Sequence, residues 1–114
     1  MALQVYGLKN CDTCKKAMAA LVAAGREVIF VDIRAEADLA SKIPAWLDAV
    51  SADVLVNKRS TTWRGLGETD KAKAEGHGAA SLLIANPTLI KRPVIERGDE
   101  VFVGWGKDVS AALI

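Results

Sequence analysis

The chain has only two cysteines and one histidine among its 114 residues. Those three fall short of the four donors that a structural zinc site takes, so no metal centre is expected. Excess charge is also missing. Fifteen Lys and Arg stand against fourteen Asp and Glu, a net charge of +1, and the basic footprint of direct nucleic-acid binding is absent. No apolar run approaches the roughly 18 residues of a membrane span, so no membrane partner is expected. The opening Met1 to Val5 shows neither the charged region nor the apolar core of a secretory signal. Together these absences place the chain in a reducing cytoplasm, where two cysteines are reactive rather than a structural staple. What is present is ordinary for a globular protein: 51% apolar and 25% charged residues, a composition that offsets ordering entropy and excludes disorder. The length allows one domain, and a monomer suits its size and charge.

Leu3 to Tyr6 is a short apolar run of strand formers closed by Gly7. Asp12 or Thr13 can then cap a helix whose apolar face is Ala17, Met18, Leu21 and Val22, stopped at Ala24-Gly25. Val28 to Ile33 reads as a mostly buried strand, which makes the first third β-α-β with parallel neighbours. A helical stretch follows: Arg34 to Val50 interrupted near Pro44, a helical turn at Val54 to Val56, a polar loop from Asn57 to Arg64, then helices over Asp70 to Gly76 and Ala79 to Asn86. Strand signals return at Pro93 to Glu96 and Val101 to Val103, joined by a turn at Arg97 to Glu100, with a closing helix within Gly104 to Ile114. A βαβ unit, a helical insertion over about 35–88 and a ββα unit make a thioredoxin-like α/β domain spanning 1–114.

The sharpest chemical feature is Cys11-Asp12-Thr13-Cys14, set between a strand and a helix start. The open N–H groups and dipole of a helix N-terminus favour an anion there, and the thiolate is the nucleophile. Cys14, three residues on, is within reach to resolve a mixed disulfide. Lys9, Lys15 and Lys16 add positive charge nearby. Arg92-Pro93 has two readings. In one, a cis proline faces the cysteine loop and brings a guanidinium to Cys11; in the other, a strand-start proline sits beside a solvated arginine. Lys58 to Arg64 could line an anion site, but its composition favours a surface loop anchored by Trp63. Trp46, Trp63 and Trp105 read as packing residues, and His77, between two glycines, as a surface residue.

Three segments carry a resemblance: Val5 to Ala17 with its Lys9-Asn10-Cys11-Asp12-Thr13 core, Asn57 to Leu66 with Thr61-Thr62-Trp63-Arg64, and Asn86 to Val94 with Arg92-Pro93. In this order and spacing they resemble the ArsC/Spx/YffB family, most closely its YffB branch. The resemblance implies a thioredoxin fold with a helical insertion and a nucleophilic Cys11. It implies that Arg92, before a cis proline at 93, binds the anionic group attacked by or attached to Cys11. Lys9, Asn10 and Pro93 complete the anion-binding set, with Arg59 or Arg64 standing in for family arginines that this chain lacks. Arsenate reductases of the family carry His where this chain has Gly7, and Ser where it has Cys14. The implied activity is that of a glutathione-dependent thiol–disulfide oxidoreductase. Glutathione is then a co-substrate rather than a bound cofactor, and glutaredoxin a further partner. Two alternatives stay open: arsenate reduction by the same thiolate, and an Spx-like regulator that binds RNA polymerase through a Cys11–Cys14 disulfide switch.

Overall fold

The computed structural model describes residues 2–35, 38–75 and 78–114. Readings that fall on Met1, Glu36, Ala37, Gly76 and His77, the surface placement of His77 among them, lie outside the described residues. In chain order the elements are β1 (Leu3–Gly7), α1 (Asp12–Ala23), β2 (Val28–Asp32), α2 (Leu39–Ala49), α3 (Ala52–Leu55), α4 (Thr61–Arg64), α5 (Glu68–Lys73), α6 (Ala79–Ala85), a 3₁₀ turn (Pro87–Leu89), β3 (Val94–Arg97), β4 (Glu100–Val103) and α7 (Lys107–Leu113). They form two compact units, Met1–Ala37 with Arg92–Ile114, and Asp38–Lys91. Among the described residues no helix is long and apolar enough to cross a membrane.

The first unit is built on a mixed sheet in the order β2-β1-β3-β4. β1 runs parallel to β2, from Leu3 opposite Val28 to Gly7 opposite Asp32. It runs antiparallel to β3, with Val5 opposite Ile95. β3 returns as β4 through Gly98-Asp99, with Arg97 opposite Glu100. Gly98 takes φ 60° while Asp99 keeps a negative φ, the pattern of a type II′ turn, which suits the twist of the two strands. Period-two alternation sends Leu3, Val5 and Ile95 to one sheet face. There they pack with Leu21 of α1 and Leu113 of α7, ringed by Met18, Phe30, Phe102 and Trp105. Each such aliphatic burial is worth about 1.5–3 kcal/mol. This is the thioredoxin-like α/β arrangement that the βαβ and ββα patterns predict.

The differences are local. β1 includes Gly7, whose carbonyl accepts from Ile33 N at 3.0 Å. β2 is an edge strand and half exposed, with Ile29 51% accessible; an apolar run alone does not tell an edge from a centre. The cap of α1 is Cys11 itself, not Asp12 or Thr13. The buried stripe of α1 is Cys14, Ala17 and Leu21, while Val22 faces solvent.

The second unit holds its own core of Ile43, Trp46, Leu55, Leu83, Leu89 and Ile90, all essentially inaccessible. α2 starts at Leu39 and passes through Pro44 without a break. A proline there removes one backbone donor and weakens the helix, and burial of Ile43 and Trp46 on either side offsets that loss. Val56 follows α3 and bridges Ile90, flanked by bonds from Asn57 N to Leu89 O (2.8 Å) and Lys91 N to Leu55 O (2.7 Å). The stretch read as a loop from Asn57 to Arg64 contains a helical turn, α4. Ser60 Oγ caps it by accepting from Trp63 N at 3.1 Å. The described part of the next helix runs Glu68–Lys73, two residues earlier than the charge pattern places it.

Candidate active site

Every piece of the site described here lies in the first unit. β1 ends at Gly7, and the chain turns through Leu8, Lys9 and Asn10, with Cys11 N donating to Leu8 O at 3.2 Å. Lys9 and Asn10 are exposed on that turn. Cys11 has extended backbone angles (φ −87°, ψ 119°) and its carbonyl accepts from Lys15 N at 3.0 Å, so it is the N-cap of α1. Its thiol is free and half-buried, and that of Cys14, on the first turn, is free and buried. The Arg92-Pro93 peptide bond is cis, the first of the two readings left open by the sequence. Pro93 is buried, and its carbonyl accepts from Gly104 N at 2.8 Å, which ties the segment to the end of β4.

The two thiols are chemically unlike. Burial disfavours a charged Cys11, but the Cys14 backbone N–H and thiol and the Arg92 guanidinium outweigh it and hold Cys11 below the ordinary thiol range. The Sγ of Cys11 forms no cap hydrogen bond of strict geometry; its neighbours act through proximity and charge. Cys14 goes the other way. Burial first, and then the adjoining Cys11, push it up to about 11 despite the Leu8 backbone and the Arg92 charge. One proton is therefore shared unequally: Cys11 is readily the thiolate and Cys14 the thiol beside it.

A mostly apolar groove of about 300 Å³ adjoins the pair, lined by Leu8, Lys9, Cys14, Lys15, Met18 and Phe30. A larger one of about 750 Å³ lies at the opposite end of β1, around Leu3, Arg26 and Arg97. It holds no thiol, and its arginines are engaged: Arg26 donates to Leu113 O and Ile114 O, and Arg97 to Ala112 O. Among the described residues no group of three or more His, Cys, Asp or Glu is placed to hold a metal ion.

The structure thus brings together Cys11, Cys14 and Arg92, with Lys9, Asn10 and Pro93 on the segments that carry them. Arg59 and Arg64 belong to the second unit, both exposed, before and at the end of α4. There Lys58 is paired with Asp53 at 3.5 Å and lies 5.6 Å from the centre of the Trp63 ring, while Lys71 lies 5.8 Å from the same ring. Two features escaped the sequence reading. The groove residues Leu8, Met18 and Phe30 carry no chemical signature of their own. The close approach of Gly7 to Cys14 is signalled only by a glycine at a strand end, which marks a close approach as readily as a turn.

Comparison with known proteins agrees with this geometry. A family model described as "ArsC family" matches residues 6–113. A protein of Haemophilus influenzae is 41% identical over 112 residues, spanning 97% of this chain and 98% of that protein. The solved structure of a YffB protein superposes with a TM-score of 0.87 at 34% identity, over 97% of each chain. That of an arsenate reductase (ArsC) related protein from Brucella melitensis gives 0.80 at 34% identity, over 98% of this chain and 93% of the other.

Proposed function

The chain belongs to the ArsC family, whose arsenate reductase-like members support thiol-dependent redox chemistry, and on that premise we propose that it is a glutathione-dependent thiol–disulfide oxidoreductase. The observation that carries this reading is the divergence of the two thiols. Cys11 is lowered by Cys14 and Arg92 against its burial, and Cys14 is held protonated at its side.

The Cys11 thiolate attacks the glutathionyl sulfur of a mixed disulfide. The S–S bond to the substrate breaks, the substrate leaves as a thiolate, and a Cys11–glutathione disulfide remains. A second glutathione thiolate then attacks the bound glutathionyl sulfur, freeing Cys11 and forming glutathione disulfide. Alternatively, Cys14 attacks Cys11 Sγ and releases glutathione. Arg92 is the candidate for a carboxylate of glutathione, by the paired donors of its guanidinium. Lys9 and Asn10, exposed beside Cys11, are candidates for the same anionic ligand.

The test is turnover of a glutathione mixed disulfide coupled to glutathione reductase. Cys11→Ser is expected to remove turnover, and Cys14→Ser to leave a glutathione-resolved rate. Arg92→Ala is expected to raise KM at least about tenfold, as loss of a charge-assisted hydrogen bond of ~1.5–3 kcal/mol requires. Unchanged turnover in Cys11→Ser rejects the reading. Saturable arsenate turnover in its place makes the oxyanion the substrate.

A further inference from the structure

Gly7 stands where a glycine has no conformational reason to be. It closes β1 in register with Asp32 and takes no positive φ, unlike Gly25, Gly98 and Gly104. In a strand, glycine weakens pairing relative to alanine and packs nothing. What holds the position empty is Cys14. A Cβ built on Gly7 would collide with Cys14 Sγ and lie 3.4 Å from Cys14 Cβ and 3.6 Å from Phe30 Cε1. The contact with Phe30 is ordinary and that with Cys14 Cβ is at the tight edge of ordinary. Only the sulfur is incompatible with a side chain at 7. Cys14 is 1% accessible, so its sulfur is packed rather than free in solvent, and a side chain at 7 would have to displace it.

We propose that Gly7 is a positioning residue of the dithiol: its missing side chain is the space in which Cys14 Sγ lies beside Cys11, so residue 7 decides whether the chain works with two thiols or one. This rests on the thiol–disulfide reading above and goes beyond it by assigning the determinant of the second thiol. The chemistry affected is the closure step. With glutathione disulfide as oxidant, the Cys11 thiolate forms a mixed disulfide and one glutathione leaves as a thiolate. Cys14 then loses its proton and attacks Cys11 Sγ, and the second glutathione leaves. The protein gives up two electrons and two protons, and one glutathione disulfide becomes two glutathiones. A side chain at 7 turns Cys14 Sγ out of line for the second attack; the first attack, in which Cys11 is the nucleophile, loses only the support of the Cys14 thiol and keeps that of the Cys14 backbone N–H and Arg92.

The experiment follows the mass of the intact protein with time in glutathione disulfide, for wild type, Gly7→Ala, Cys14→Ala and Gly7→Ala/Cys14→Ala. Wild type is expected to pass through a glutathione adduct to an adduct-free disulfide. Gly7→Ala is expected to stall at the adduct, with closure slowed at least about tenfold, as exchange depends on access to the sulfur attacked. Cys14→Ala and the double variant are expected to form the adduct at equal rates, because with the sulfur gone residue 7 has nothing to displace. If Gly7→Ala does not fold, recovery of folding in the double variant, read by its thermal transition, carries the same conclusion. Closure of Gly7→Ala at the wild-type rate overturns the proposal. So does a double variant slower than Cys14→Ala in forming the adduct, or wild type that stops at the adduct. Wild type that forms no adduct rejects the thiol–disulfide function itself, and this proposal with it.

Discussion

At the scale of single residues, the site is an asymmetry between two thiols of the same intrinsic acidity. Cys11 sits at a helix start beside a guanidinium. Cys14 sits one turn further in, among Ala17 and Leu21 on the buried stripe of α1. The second placement has a consequence for stability. Cys14 has its pKa raised in the fold, from 9.0 to about 11, so the fold favours its protonated form. That contribution is whole below pH 9 and is lost as pH rises through about 11. Cys11, lowered in the fold, has the opposite sign: its contribution is present above pH 9.0 and is lost as pH falls through its folded value. Urea unfolding of wild type and Cys14→Ala from pH 9 to pH 11 is expected to show a steeper alkaline loss in wild type, by on the order of 2 kcal/mol. Equal slopes would mean that Cys14 titrates as it does in the unfolded chain.

At the scale of elements, short helices depend on what meets their ends. α7 has seven residues and buries only Leu113, too little to hold a helix of that length alone. Its last carbonyls are met from the neighbouring strands and loop: Arg26 Nε reaches Leu113 O at 3.0 Å, Arg26 Nη2 reaches Ile114 O at 2.8 Å, and Arg97 Nη1 reaches Ala112 O at 2.9 Å. Cations there also suit the negative end of the helix dipole. Arg26→Met keeps the apolar stem and removes two donors. It is expected to lower stability by about 1 kcal/mol, since the site is partly exposed, and to speed amide exchange in α7 before the rest of the sheet. Exchange in α7 matching wild type would show that Arg97 alone holds the end.

At the scale of the molecule, each of the two units carries its own buried core, so tryptophans alike in sequence differ in weight. Trp46 is fully buried in the Asp38–Lys91 unit, and Trp63 of the same unit is half-buried under Lys58 and Lys71. Trp46→Ala is expected to cost about 3–5 kcal/mol in denaturant unfolding, a large share of the ~5–15 kcal/mol of a typical domain. Trp63→Ala is expected to cost less than half of that. Similar losses at both positions would contradict the burial that separates them.

The α/β order, the strand–Cys–helix placement and the hairpin before the last helix were legible in the chain, because each rests on local rules: period, capping position and turn chemistry. Cys11 at a helix N-terminus follows from those rules alone. Whether Arg92 lies beside Cys11 does not, because it depends on the pairing of β3 with β1, 90 residues apart at Val5 and Ile95. The exposure of β2 depends in the same way on its place at the sheet edge. The Ser60 cap of α4 follows a local rule too, but a basic, non-periodic stretch hides a single helical turn. The collision between a side chain at 7 and the sulfur of Cys14 belongs wholly to tertiary structure: a strand end and a helix face meet there within the width of one methyl group, and packing at that density has no signature in either segment alone.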